Sequence, residues 1–195
     1  MKKNKLGSSV EELIKKLLVS AGEDTSREGL RETPQRVGKM YDEILSGYFQ
    51  DPSLVFKKFK SNGYKDLVTL TNITFYSLCE HHMVPFFGKV HIGYLPNGNI
   101  LGLSKFVRLT EIFSRRLQTQ EHLTGQIADS IEKNLHPRGL IVSIEAEHLC
   151  MSMRGVKKNG CITKTTTIRG CMRKQPEFVD QFYREINSRK DYRLC

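Results

Sequence analysis

Apolar positions in the first part of the chain recur at helical spacing. Val10, Leu13, Ile14, Leu17 and Leu18 follow the i, i+3, i+4, i+7, i+8 pattern of one helix face, Ser8 with Glu11 reads as a capping box, and Gly22 as the stop. A second helix is predicted from Thr33-Pro34, with Thr33 as N-cap, Pro34 at the first helical position, and Val37, Met40, Tyr41, Ile44 and Leu45 along one face before Gly47. From about Leu67 the period drops to two. Val68 to Leu78 is β-branched and aromatic, with a break in its alternation at Asn72 that predicts a bulge. Gly88 to Leu95 alternates, with Val90, Ile92 and Tyr94 on one face, and Asn97-Gly98 predicts a hairpin turn into Ile100-Leu101.

Helical spacing then returns twice. Phe106, Leu109, Phe113 and Leu117 mark one helix, with Ser104 as its N-cap; Leu123, Ile127, Ile131 and Leu135 mark the next, which starts near Thr119 and is stopped by Pro137. A long strand is predicted from Leu140 to about Met153, on which Val142, Ile144, Ala146, His148 and Cys150 share a face. The run Ile162 to Ile168 reads as its antiparallel partner. Pro176 opens a last helix with Phe178, Val179, Phe182 and Ile186 facing in, and the polar tail after Asn187 reads as frayed.

Composition sets outer limits on this α+β order. A chain of 195 residues with 38% apolar content can build one core of its own. No run approaches the ~20 apolar residues that span a bilayer. Lys2, Lys3 and Lys5 are not followed by the apolar run and cleavage site of a secretory signal. Five cysteines at these spacings suggest no disulfide framework, so the expected compartment is a reducing cytoplasm with thiols available for metal. The net charge of +10 fits nucleic acid or a small polyphosphate. No zinc-finger spacing, aromatic RNA-binding signature or long Arg/Lys block favours nucleic acid, and Lys57, Lys58 and Lys60 read as solvated surface.

The candidate chemistry starts at Cys79-Glu80-His81-His82. Cys79 and His82 form a C-x-x-H pair, and Cys150 would complete a Cys₂His set for a soft tetrahedral ion, with one position left for water or substrate. A closed structural site with His81 as fourth ligand, or no metal, fits the same spacing. His148 would stand beside Cys150 and point the same way. Arg36 lies in the first turn of its helix, where a cation is disfavoured by the helix dipole; it is either held for an anion or an ordinary surface arginine. Lys105 and Arg108 share a face at a helix start, where free N–H groups and two cations can meet one phosphate. Gln120 and Glu121 occupy the first turn of the following helix, where the simpler reading of an acid is capping. Cys161, Cys171 and Cys195 receive no role.

Taken together, Cys79-Glu80-His81-His82, Gly102-Leu103-Ser104-Lys105, Gln120-Glu121, His148-Leu149-Cys150, Met153-Arg154-Gly155 and Thr165-Thr166-Thr167 resemble, in order and interval, the motifs of the GTP cyclohydrolase I family. The resemblance runs from about Pro34 to the last helix. It implies a tunnelling fold, in which a four-stranded antiparallel sheet carries two helices on one face, pentamers close their sheets into a barrel, and two rings make a decamer with sites at subunit interfaces. It implies one domain over 1–195, with N-terminal helices to about 48 and a catalytic core over about 64–186. The implied reaction takes GTP and water to formate and 7,8-dihydroneopterin triphosphate, in tetrahydrofolate and pterin synthesis. By matching position, Cys79, His82 and Cys150 would hold Zn²⁺, while His81, His148 and Ser104 would handle protons. Gln120 and Glu121 would meet guanine, and Arg36, Lys105, Arg108 and Arg154 the triphosphate. Neither nucleic acid nor membrane is expected as a partner. Thr119 departs from the family pattern, which commonly has Val there, and the tail after Lys190 has no counterpart.

Overall fold

The structure, a computed structural model, describes residues 6–188. Lys2, Lys3 and Lys5, the tail after Lys190 and Cys195 lie outside the described residues, as does most of the tail read as frayed. The chain divides into two compact units, Met1–Gln50 and Asp51–Cys195.

The first unit holds α1 (Leu6–Ser20), α2 (Glu28–Arg31) and α3 (Thr33–Ile44). Helices α1 and α3 meet backbone to backbone at two glycines. A Cβ on Gly38 would lie 2.5 Å from the Gly7 carbonyl oxygen, and the Gly7 N–H donates to Asp42 Oδ1 at 2.9 Å. Two expected caps are displaced. Helix α1 is already running at Leu6, so Ser8 lies inside it, and α3 takes Glu32 as N-cap with Thr33 as its first residue. The Thr33 hydroxyl instead donates to the Gly29 carbonyl at 3.2 Å, closing the preceding turn. Leu13 and Leu17, expected to face inward, are more than 60% exposed, so only part of the apolar stripe of α1 is used within the unit.

The second unit runs β1 (Lys58–Lys60), β2 (Val68–Cys79), β3 (Pro85–Leu95), β4 (Asn99–Leu101), α4 (Leu103–Ser114), β5 (Leu117–Gln118), α5 (Gln120–Leu135), β6 (Gly139–His148), α6 (Leu149–Ser152), β7 (Ile162–Gly170) and α7 (Pro176–Asn187). The main sheet has the order β5-β2-β3-β6-β7, with its four long strands antiparallel and the two residues of β5 parallel to the end of β2. Helices α4 and α5 cover one face. Phe106, Leu109, Leu123, Ile127 and Ile131 pack there on Val90, Ile92, Leu140, Val142 and Ile144, all fully buried. Each such side chain stabilises the fold by roughly 1.5–3 kcal/mol. Helix α7 lies on the other face, where Phe182 joins Leu67, Leu95, Ile141 and Met172.

The bulge expected at Asn72 is present. The register of β2 on β3 shifts between Leu70 and Ile73, and Asn72 adopts φ 59°. The hairpin expected at Asn97-Gly98 does not pair β3 with β4. Gly98 does turn the chain at φ 72°, but β4 pairs with β1 in a separate two-stranded sheet, because the facing edge of β3 is already taken by β6. Sheet edges remain at β7 and along β2, which β5 flanks only at Leu78 and Cys79. No helix among the described residues is long and apolar enough to cross a membrane.

Candidate metal centre and its surroundings

The connection from β2 to β3 is a tight turn. The Cys79 N–H donates to Val84 O at 2.9 Å, while the His82 and Met83 N–H groups return to Cys79 O at 3.3 and 2.7 Å. Met83 closes the turn with φ 54°. This folds His82 back over Cys79. The third member arrives differently from the expectation, because β6 ends at His148 and residues Leu149–Ser152 form the helical turn α6. Cys150 is therefore carried to the site by α6 rather than on the strand face beside His148. The Met153 N–H donates to Leu149 O at 2.9 Å, and Gly155 leaves the turn at φ 63°.

The donor atoms of Cys79, His82 and Cys150 all lie within 4.8 Å of one another. Two sulfurs and one imidazole nitrogen converging from a rigid strand end and a helical turn suit one soft divalent ion. Burial, and after it the neighbouring Cys79 thiol, push the Cys150 pKa up. A cation between the thiols reverses that preference, so binding is coupled to proton release. His81 Nδ1 stands 3.8 Å from Cys79 Sγ, with its ring largely exposed.

Beside this cluster His148 lies flat on the buried ring of Phe86, with centroids 4.7 Å apart and planes 3° from parallel. Its Nε2 is 2.8 Å from Gln120 Oε1. Burial pushes the His148 pKa down and outweighs the opposing pull of the Glu121 carboxylate, so the ring is neutral near pH 7. Glu121 itself is exposed, at the start of α5. Gln120 is not: it is 1% exposed, and its amide nitrogen donates to Ile144 O, Thr163 O and Thr165 Oγ1. Helix α5 starts beside Thr119 as expected, and the Thr119 side chain caps it, accepting from the His122 N–H at 3.2 Å. Arg154 follows α6, exposed, and acts electrostatically on Cys150.

Ser104, Lys105 and Arg108 lie elsewhere. They occupy the first two turns of α4, whose N-cap is Gly102 rather than Ser104. Leu101 pairs with Lys58, and Lys58 Nζ donates to Asn134 O near the end of α5, so α4 begins beside the last turn of α5. The metal cluster lies at the first turn of the same helix, where β5 joins Gln118 to Cys79. Sixteen residues of α5, ~24 Å of helix, separate the two sets. Arg36 belongs to the first unit, where Glu32 Oε2 accepts from its guanidinium at 2.7 Å. Sequence reasoning assigned no role to Phe86, Thr124 or Thr165. The spacing of Thr124 four residues after Gln120 was the available clue.

A sheet end that gathers two thiols, an imidazole, a neutral histidine and a carboxylate on an α+β frame is the arrangement of an enzyme. The profile described as GTP cyclohydrolase I matches residues 10–187, and the chain belongs to that family. It is 51% identical over 172 residues to "GTP cyclohydrolase 1" of Brucella anthropi, covering 87% of this chain and 81% of that one. To "GTP cyclohydrolase 1" of Sinorhizobium fredii it is 53% identical over 168 residues, covering 85% and 82%. Among solved structures, an archaeosine synthase QueF-Like protein in the apo form is similar at a TM-score of 0.43 and 17% identity, over 53% of this chain and 93% of that chain.

Proposed function

We propose that the protein hydrolyses and rearranges GTP to 7,8-dihydroneopterin triphosphate and formate, opening tetrahydrofolate and pterin synthesis in the cytoplasm, with Zn²⁺ held by Cys79, His82 and Cys150. The observation that carries this reading is the convergence of those donors with His148 and Glu121 at one sheet end, in a chain of this family. When bound, zinc supplies a Lewis acid that activates water near neutral pH.

The chain's own residues do the rest. His148, neutral at the outset, accepts and returns protons as the imidazole ring of the purine opens, and His81, exposed beside Cys79, serves the outer side of the same centre. The Glu121 carboxylate accepts from the N1–H and 2-amino group of guanine. Adenine presents a bare acceptor at N1, so it leaves that carboxylate unpaired and is rejected by ~10⁴. Lys105 and Arg108 of one protomer and Arg154 of another hold the triphosphate, and Ser104 serves a proton beside Lys105.

The ~24 Å along α5 exceeds the reach of one nucleotide, so the phosphate set of one protomer works with the metal set of another. Free edges at β2 and β7 support ring closure between copies, which removes the edges altogether. A homodecamer of two pentamers, in which each chain acts as one functional domain over 1–195, is the assembly we propose.

The test is a GTP assay on purified protein, scoring formate and the fluorescent oxidised neopterin product. Both are expected, both should vanish on chelation, and both should return with zinc. GTP binding without either product overturns the metal chemistry.

A further inference from the structure

We infer that Gln120 is a positioning residue for His148: its buried amide, oriented by Thr124 and Thr165, fixes the ring as the Nε2–H tautomer and presents Nδ1 as the basic atom. This rests on the GTP reading above and departs from the guanine contact that resemblance alone assigns to Gln120.

Counting protons gives the direction of every bond. Thr124 has one hydroxyl proton, and it goes to the Gln120 backbone carbonyl at 2.7 Å. In the 2.7 Å contact between Thr124 Oγ1 and Thr165 Oγ1, Thr165 is therefore the donor. With its proton spent, Thr165 Oγ1 can only accept from Gln120 Nε2 at 3.2 Å. The other neighbours of that nitrogen are the carbonyl oxygens of Ile144 at 3.1 Å and Thr163 at 3.0 Å, which cannot donate. The amide is thus pinned with its NH₂ against β6 and β7. Turning it over would set an amide oxygen against two carbonyls and an NH₂ against the ring, at the cost of buried unpaired groups. What remains facing His148 Nε2, at 2.8 Å, is Oε1, an atom that only accepts. So Nε2 carries the ring proton and Nδ1 carries the lone pair.

Stacking on Phe86 fixes the plane of the ring, and Gln120 fixes its rotation within that plane. A histidine held in one tautomer is ready for proton transfer without reorganisation, and loss of such an orienting partner is felt in turnover rather than in substrate binding. Thr165, the first residue of the Thr165-Thr166-Thr167 stretch, supplies the acceptor that orients the amide from the neighbouring strand.

The test uses the zinc-loaded full-length protein and two variants. Gln120→Met removes the amide at similar length; Thr165→Val removes only the hydroxyl and touches His148 solely through Gln120. Gln120→Met is expected to lower kcat by ~10–100-fold with the Kd for GTP unchanged, and Thr165→Val to lower kcat less, again at unchanged Kd. Nitrogen-15 magic-angle-spinning spectra of histidine-labelled protein, with His148 assigned by its loss in His148→Asn, should show the Nε2–H form in wild type and a mixture in the variants. A GTP Kd that rises in step with lost turnover restores Gln120 to the guanine pocket and overturns the inference. So does an Nδ1–H tautomer in wild type, or a kcat unchanged in Gln120→Met. Should Gln120→Met fail to fold, the wild-type spectrum and Thr165→Val decide by the same criteria. If wild type makes no formate, the functional reading fails, while the spectra still judge the tautomer.

Discussion

Helices α4 and α5 lie side by side on the same sheet face, yet their first turns are built for opposite purposes. At the start of α5 the Thr119 side chain caps, Gln120 is buried and bonded on every side, and Thr124 ties the second turn back to it. At the start of α4 the N-cap is Gly102 with no side-chain bond, and Ser104 and Arg108 are exposed. One helix start is closed and rigid, suited to holding a histidine and a carboxylate in fixed positions. The other is left open, with uncapped N–H donors and two cations that a phosphate can satisfy. A pair of helices can thus divide labour by where their terminal donors are spent.

The largest expected effect comes from the closed end. Glu121→Ala should stay folded and metal-loaded and lose GTP turnover by ~10⁴, read in the formate assay; near-normal turnover would remove the carboxylate from guanine recognition. At the open end, Lys105→Met and Arg108→Met should each weaken GTP binding by about 10–100-fold and flatten its dependence on salt, measured by titration at several ionic strengths. These two defects lie in different sets of residues. Co-expressing Glu121→Ala with Lys105→Met should therefore restore activity at about a quarter of the shared sites, whereas a site made within one chain would show no rescue.

Making the open end resemble the closed one has a smaller effect. A Cβ on Gly102 meets only Phe59 and Lys105 side-chain atoms, at 3.5 and 3.7 Å, so Gly102→Asp should fold normally. Its carboxylate would cap α4, stabilising it by a few tenths of a kcal/mol, and would repel phosphate, weakening GTP binding about tenfold. The smallest change expected is in Thr119→Ala, a loss of about 1 kcal/mol and about 2–4 °C in Tm with zinc content unchanged, read by calorimetry.

Much of this division was legible in residue order. Thr119 marks where α5 begins, Asn72 announces its bulge, and the alternation through Val142, Ile144 and Ala146 the strand that carries His148. The failures share a cause: they depend on what another part of the chain has already taken. Asn97-Gly98 encodes a turn, but whether β4 pairs back onto β3 depends on β6, which sits there instead. His148-Leu149-Cys150 continues the β-like alternation, yet the chain coils at Leu149, and a thiol reaches the site from a helical turn just as well. Gln120 was the hardest to read. A polar residue in a first turn normally faces water, and only Thr165 from a distant strand, with the carbonyls around it, makes burial affordable there.

The extra residue at Asn72 sets a phase for everything after it. Val68 and Leu70 pack toward α4 and α5 before the bulge, and Ile73, Phe75 and Cys79 do so after it. Side chains in a strand alternate strictly, so an uninterrupted β2 would send odd-numbered residues to the opposite side. Cys79 would then turn its back on His148. The candidate metal centre therefore depends on a count made seven positions upstream, in a part of the strand that touches none of it. Substitutions at Asn72 are expected to be tolerated where φ allows, and deleting that one residue leaves Leu70 and Ile73 two apart with Cys79 on its present face, whereas inserting one residue between Ile73 and Cys79 inverts the parity beyond it and disperses the candidate ligand set.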